Sequence, residues 1–224
     1  MGSKDGSSAA ASIGEPVTLV CACEAYRRWA ATYDGAPNAI VSLVDRSLDL
    51  GDTRGRRVID VACGTGRWVE RTGGIGVDLS FEMLARSGSR RVVQANFRRL
   101  PFADNLADVV LCTLALAYGS PVEDAMREMR RITRRGGSIV ACDLHPKALA
   151  AGWKRSFRDG DEVYEIETHP YSLDDLTVDG LTLEYARDLY FGEAERAVYA
   201  NAGKSALFEQ VRETPAVWMR RWRK

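Results

Sequence analysis

The stretch Val-Ile-Asp-Val-Ala-Cys-Gly-Thr-Gly at residues 58–66, followed at 75–80 by Ile-Gly-Val-Asp-Leu-Ser, decides the fold. Val58, Ile59 and Val61 read as a strand buried on both faces, because a parallel strand covered by helices has no polar side with which to alternate. Gly64 and Gly66 then let the backbone turn tightly and let a ligand come close. A second strand ends in Asp78, 18 residues beyond Asp60. That spacing places an acid where the ribose hydroxyls of a bound nucleoside would lie.

The charge of the loop discriminates between nucleoside ligands. A pyrophosphate needs exposed N–H groups and a positive field, whereas Asp60 opens this loop with a carboxylate. The dinucleotide pattern G-x-G-x-x-G also fails: counted from Gly64, its third glycine falls on Val69. A ligand with an ammonium and a sulfonium in place of phosphates is attracted to an acidic loop at close range. S-adenosylmethionine is such a ligand.

Four segments in order then resemble the class I S-adenosylmethionine-dependent methyltransferases, particularly the small-molecule group of the methyltransferase type 11 kind. Asp60 to Gly66 matches the signature D-x-G-C-G-T-G, Gly76 to Ser80 matches G-x-D-x-S, Leu100-Pro101-Phe102 matches L-P-F, and Arg135-Gly136-Gly137 matches R-x-G-G. The resemblance covers roughly residues 20–190. Ala62 departs from it, standing where the family usually has its first glycine; alanine tolerates ordinary φ, so a slightly tighter loop is expected. The resemblance implies an α/β Rossmann-like fold with a seven-stranded, mostly parallel sheet of order 3-2-1-4-5-7-6.

Composition sets bounds. The chain has 224 residues, 46% hydrophobic, enough for a full core within the size of one domain. Lys plus Arg and Asp plus Glu both total 31, so no overall field favours a polyanion such as nucleic acid. The basic runs Arg130-Arg131 with Arg134-Arg135, and Arg220-Arg221 with Arg223-Lys224, read as solvated faces or chain ends, with a phosphate patch as the alternative. The cysteines Cys21, Cys23, Cys63, Cys112 and Cys142 form no zinc-type pair of pairs and no disulfide framework, which implies a reducing cytoplasm. No stretch approaches the ~20 apolar residues that span a bilayer, so no membrane association is expected.

Residues 1–14 read as a flexible leader and 15–224 as one methyltransferase domain. Helical spacing over 18–34 and 38–50 predicts an N-terminal helical lid across 15–50. Alternating patterns then predict strands near 57–62, 74–78, 91–95, 107–112 and 137–143, with helices near 66–71, 80–87 and 121–134. Pro146, Gly152, Gly160 and Pro170 break the alternation, marking 146–172 as a cap inserted after the fifth strand. A strand at 181–190, a helical stretch at 193–210 and a last strand at 215–222 complete the chain.

Ligands in open α/β sheets bind beyond the carboxyl ends of the strands. Carried over residue by residue, the resemblance implies that Asp60 holds the methionine ammonium, directly or through water. The backbone from Ala62 through Cys63 and Gly64 to Gly66 then faces the cofactor. Asp78 would accept from both ribose hydroxyls, with Leu79 and Met83 against the adenine. Asn96, beside Phe97, occupies the place of an acid that accepts from the adenine amino group, and Thr113 and Leu114 would flank the methionine portion. Tyr33 matches a tyrosine that caps the cofactor. Helix caps are the alternative reading of Asp60 and Asp78.

After the fifth strand, His145 can accept a proton from an acceptor hydroxyl or amine, with Asp143 orienting it or serving as the base; a loop hydrogen bond is the plainer reading of His145. His169 is a second candidate. The fourth strand lacks the N-P-P-Y segment of amide-gripping methyltransferases and the carboxylate that holds magnesium in catechol-type enzymes, so no metal is expected. The expected protein is a cytoplasmic monomer or homodimer that methylates an O, N or C atom of a small molecule. Its rivals are an RNA or protein methyltransferase and a non-catalytic cofactor-binding protein.

Overall fold

The computed structural model describes residues 16–35 and 37–224; the expected leader at 1–14 lies outside the described residues. In chain order the elements are β1 (Val17–Val20), α1 (Ala22–Trp29), α2 (Ala39–Ser47), β2 (Val58–Val61), α3 (Arg67–Thr72), β3 (Ile75–Asp78), α4 (Phe81–Leu84), β4 (Val92–Gln94) and β5 (Ala107–Thr113). They continue with α5 (Val122–Ile132), β6 (Thr133–Leu144), α6 (Pro146–Ala150), β7 (Ser156–Asp159), β8 (Glu162–Ile166), β9 (Thr182–Leu189), α7 (Glu193–Asn201), α8 (Ser205–Val211) and β10 (Val217–Arg223). A seven-stranded sheet has the order β4-β3-β2-β5-β6-β10-β9, which is the expected 3-2-1-4-5-7-6 counted from β2. The neighbouring pairs from β4 across to β6 all run parallel.

The described chain divides into two compact units. The first gathers Asp49–Asp143, Thr168–Arg187 and Met219–Lys224. Its centre is β2, whose four residues are all buried, with the buried run Val109 to Cys112 of β5 beside it and the buried run Ile139 to Cys142 of β6 next beyond β5. Strands buried on both faces show no alternation, hence the continuous apolar runs in the sequence. Helix α5 buries Val122, Ala125, Met126, Met129 and Ile132, a spacing of three and four that sets one stripe inward.

The second unit comprises the described residues up to Leu48 with Leu144–Glu167 and Asp188–Trp218. It holds a three-stranded sheet, β1-β8-β7, in which β7 and β8 form an antiparallel hairpin and β1 runs parallel to β8. Trp29 stacks on Phe157 at 5.1 Å between ring centroids, and Phe157 stacks on Tyr164 at 5.4 Å. Glu195 of α7 is fully buried, and its carboxylate accepts from Ser42 Oγ at 2.9 Å, Arg46 Nη2 at 2.8 Å and the Gly192 amide at 2.8 Å.

Three elements differ from the sequence expectation. The lid helix predicted over 18–34 is a strand, β1, followed by the shorter α1, because β-branched Val17, Thr18 and Val20 pair their backbones with Val163 to Ile166. The helical stretch at 193–210 is two helices, broken at Gly203, whose φ of 70° suits glycine. Strand β6 begins at Thr133: it pairs with Ala107, bulges over 134–137 and resumes at Ser138 opposite Val109.

Candidate functional site

The three strand ends that the sequence marked, those of β2, β3 and β5, all lie in the first unit. Asp60, third in β2, is 1% exposed, and neither of its carboxylate oxygens has a hydrogen-bond partner. Burial pushes its pKa up to about 8; the Arg67 charge opposes that shift and the Asp78 charge adds to it. An unpaired buried carboxylate is costly. A cation brought to this loop removes that cost, and a phosphate would increase it.

Beyond Asp60 the chain turns through residues held by named bonds. The Cys63 amide donates to Val77 O at 2.9 Å, and the Gly64 amide to Asp78 Oδ2 at 2.8 Å. Ala62 has φ 57°, in the left-handed region, so the expectation that it keeps an ordinary φ is corrected: the bonds that close the loop impose the conformation the family's glycine would adopt freely. Gly64 and Gly66 are left-handed too, at 57° and 89°. A Cβ on Gly66 would come 2.4 Å from Ser87 Oγ, so backbone and neighbour both require glycine there. Burial raises the pKa of the Cys63 thiol, and the Asp60 and Asp78 charges add to the shift, leaving it an inert apolar group against Val69 and Leu84.

Asp78 closes the second strand end. Its Oδ1 accepts from the Ser80 amide at 2.8 Å, so with the Gly64 bond each oxygen takes one amide and keeps a further lone pair for a diol. Burial raises its pKa, against the pull of the Ser80, Gly64 and Leu79 amides. Ser80 caps α4 by accepting from the Met83 amide at 3.3 Å; Met83 is buried, and Leu79 is 49% exposed beside it. A buried methionine behind an exposed leucine is a wall fit for a flat apolar ring.

The third and fourth segments are less free than expected. Asn96 Oδ1 accepts from the Arg98 amide at 2.9 Å in a local turn, and the Phe97 ring packs where a Cβ on Gly119 would sit. At the end of β5, Leu114 has φ 59° and donates its amide to Cys142 O at 2.7 Å; Thr113 and Leu114 are half-buried. Asp143 is fully buried in this unit, where its Oδ2 accepts from the Ala117 amide at 3.0 Å and from Tyr171 Oη at 3.3 Å.

His145 and Tyr33 belong to the second unit. His145 heads α6: its Nδ1 accepts from the Lys147 amide at 3.0 Å, and its Nε2 lies 3.4 Å from Asp188 Oδ1. Those partners fix the neutral tautomer with its proton on Nε2. Both ring nitrogens are therefore engaged, and Asp188 and Tyr171 are partners that the sequence reading did not assign. Tyr33 sits edge-on to Trp29 at 4.9 Å. His169 donates its backbone amide to Ala117 O at 2.8 Å.

A parallel sheet of this order, with an acidic glycine loop after its first strand and a second carboxylate after its second, defines the class I S-adenosylmethionine-dependent methyltransferase fold. Residues 59–141 match the family model described as a methyltransferase domain. Among curated relatives it is 37% identical over 107 residues to a demethylmenaquinone methyltransferase of Mycolicibacterium paratuberculosis, covering 42% of this chain and 44% of the relative. It is 29% identical over 154 residues to a malonyl-[acyl-carrier protein] O-methyltransferase of Hamiltonella defensa, covering 63% and 60%. The chain thus spans about half the length of these relatives. A solved S-adenosylmethionine-dependent methyltransferase from Mesorhizobium loti superposes with a TM-score of 0.58 at 22% identity, covering 82% of this chain and 96% of that one. Among the described residues, no helix is long and apolar enough to cross a membrane, and no cluster of three or more His, Cys, Asp or Glu is arranged to hold a metal ion.

Proposed function

We propose that this chain binds S-adenosylmethionine at the ends of β2, β3 and β5 and transfers its methyl group to an O, N or C atom of a small-molecule acceptor. The observation that carries the reading is the buried, partnerless carboxylate of Asp60 under a loop of left-handed residues. When bound, the cofactor supplies an electrophilic methyl on a sulfonium. Asp60 attracts the cationic end, and the backbone of Ala62, Cys63, Gly64 and Gly66 lets it approach. Asp78 accepts from the ribose hydroxyls, and Leu79 and Met83 border the adenine, with Asn96 and Phe97 at its rim. Thr113 and Leu114 flank the methionine portion, and Tyr33 is the capping tyrosine.

Alignment of acceptor, methyl and sulfur is the main contribution of the chain, an effect that reaches roughly 7–11 kcal/mol at best. His145 is the candidate base and Asp143 its candidate companion. Because both nitrogens of His145 are engaged and Asp143 already caps the turn at Ala117, their effect on turnover should be smaller than that of Asp60 or Asp78 on cofactor affinity. A demethylmenaquinone methyltransferase among the relatives supports a small acceptor. The neutral net charge supports a partner other than nucleic acid, and the reading places the protein in the cytoplasm as a monomer or homodimer that needs no metal.

Calorimetric titration with S-adenosylmethionine, S-adenosylhomocysteine and NAD tests this. Micromolar binding of the first two alone, lost in Asp78→Ala, followed by formation of S-adenosylhomocysteine with a small acceptor, is the expected result. Binding of NAD in their place would overturn the cofactor. Tight cofactor binding with no turnover across a broad acceptor panel would favour a non-catalytic binding protein.

A further inference from the structure

The two basic runs of the sequence converge in the first unit. A cavity of about 470 Å³ is lined by Asn105, Arg130, Arg135, Gly180 and Lys224, with three cationic side chains and no acidic side chain in its lining. Most neighbouring charges are already satisfied: Arg131 pairs with Glu128 and Asp104, both at 2.7 Å, Arg134 pairs with Asp108, and Arg223 pairs with Glu184 at 2.7 Å. Arg130 and Arg135 are not. Neither side chain makes a hydrogen bond or ion pair among the described residues, and Arg130 Nε is buried with no acceptor.

The remaining parts hold these cations in place. Lys224 Nζ donates to Asn105 Oδ1 at 2.9 Å, Arg130 O at 2.7 Å and Thr133 O at 2.7 Å, so it supplies fixed charge at the end of α5. Burial, then the Arg130 charge, lower its pKa, with Arg135 and Arg131 adding to the shift and Asp104 opposing it. Gly180, at φ 79°, makes room for the Arg130 guanidinium, since a Cβ there would lie 2.7 Å from its Nη2. A buried charged donor without an acceptor is costly, and a planar guanidinium meets two oxygens of one tetrahedral anion at once.

We propose that this cavity is a binding site for a phosphate group, carried by the phosphomonoester or diphosphate of a small molecule. It lies at the amino-terminal ends of β5 and β6, the end of the sheet opposite the loops after β2 and β3, so it is distinct from the proposed cofactor site and independent of methyl transfer. A single pocket on a chain of zero net charge suits one small anion better than a nucleic-acid backbone, which needs a basic stripe.

The test is calorimetry and thermal melting of the full chain with inorganic phosphate, with pyrophosphate and with a short single-stranded RNA, at ionic strength held constant with sodium chloride. Saturable binding of phosphate or pyrophosphate that raises the melting temperature is the expected result. Arg135→Gln, at an exposed and unpartnered side chain, should melt like the parent without phosphate and bind at least about tenfold more weakly. Arg130→Gln combined with it should abolish saturable binding. Equal affinities in parent and variants, no saturation up to about 10 mM, or RNA bound more tightly than pyrophosphate with a steep salt slope would each overturn the proposal.

Discussion

Asp60→Asn separates the electrostatic cost of the site from everything else in the fold. The unfolded chain loses the Asp60 proton near a pKa of about 3.9, whereas burial holds the folded group near about 8. Folding therefore takes up a proton between those values. The contribution of this group to stability is full below about pH 4, falls as pH rises, and stops falling above about pH 8. At about 1.4 kcal/mol per pH unit, the ligand-free chain is destabilised at pH 7 by up to about 4 kcal/mol relative to a side chain that never ionises. Asparagine keeps the shape and offers no charge. Its amide leaves a pH-independent offset, since it too finds no hydrogen-bond partner at this position. The informative quantity is the slope: in urea unfolding of the ligand-free proteins, the advantage of Asp60→Asn should grow by roughly 2–4 kcal/mol between about pH 4.5 and about pH 8. The same variant should bind S-adenosylmethionine more weakly, and binding to the parent at pH 7 should release close to one proton, read as a buffer-dependent calorimetric enthalpy. An advantage that stays flat over that pH range would refute the reasoning, because Asp60 would then be ionised in the folded chain with a partner that satisfies it.

Two further changes probe the loop. Ala62→Gly removes left-handed strain of roughly 1–2 kcal/mol and returns part of it as unfolded-chain freedom, so a net gain of about 0.5–1 kcal/mol is expected, visible as a melting temperature higher by a few degrees. A lower melting temperature would show that the alanine methyl is packed, not strained. Gly76→Ala puts a Cβ 2.6 Å from both Cys63 Sγ and Val69 Cγ2, wedging β3 off the loop, at a cost of about 1–3 kcal/mol in chemical unfolding. Cys63→Ala should restore part of that loss; simple additivity of the two changes would place the clash elsewhere.

The sheet was legible because its central strands are buried on both faces, so Val58, Ile59 and Val61 or Val109 to Cys112 could be read only one way. Helix α5 was legible from the three-and-four spacing of its buried residues. Strand β1 was not, because its helix-like apolar residues find their partners at Val163 to Ile166, and a pairing so distant leaves no local trace. The break at Gly203 was hidden by helix-forming alanines on both sides. In the site, Asp60 and Asp78 were legible as strand-end acids. Their environments were not: that one lacks partners and the other takes two amides depends on the loop returning across β3. Asp188 beside His145, and Lys224 among the carbonyls that end α5, are partners of the same kind, made by strands that sequence spacing does not align.

The φ values at the ends of two adjacent parallel strands tie the fold to its chemistry. Ala62 follows β2 and Leu114 follows β5, and both are left-handed without being glycine. Each costs on the order of 1–2 kcal/mol, and each is held by bonds its neighbours make: Cys63 to Val77 and Gly64 to Asp78 in one case, Leu114 to Cys142 in the other. Strain of this sort persists only where the surrounding structure over-determines it. Here the structure that does so is the parallel sheet itself, whose registers fix Val61 beside Val77 and beside Cys112, and so fix where both chains must turn. A loop set by sheet register does not relax when its ligand leaves. The buried Asp60 carboxyl therefore stays unpaired in the free chain, held mostly protonated at pH 7 by its burial, and a cation bound beside it takes the place of that proton.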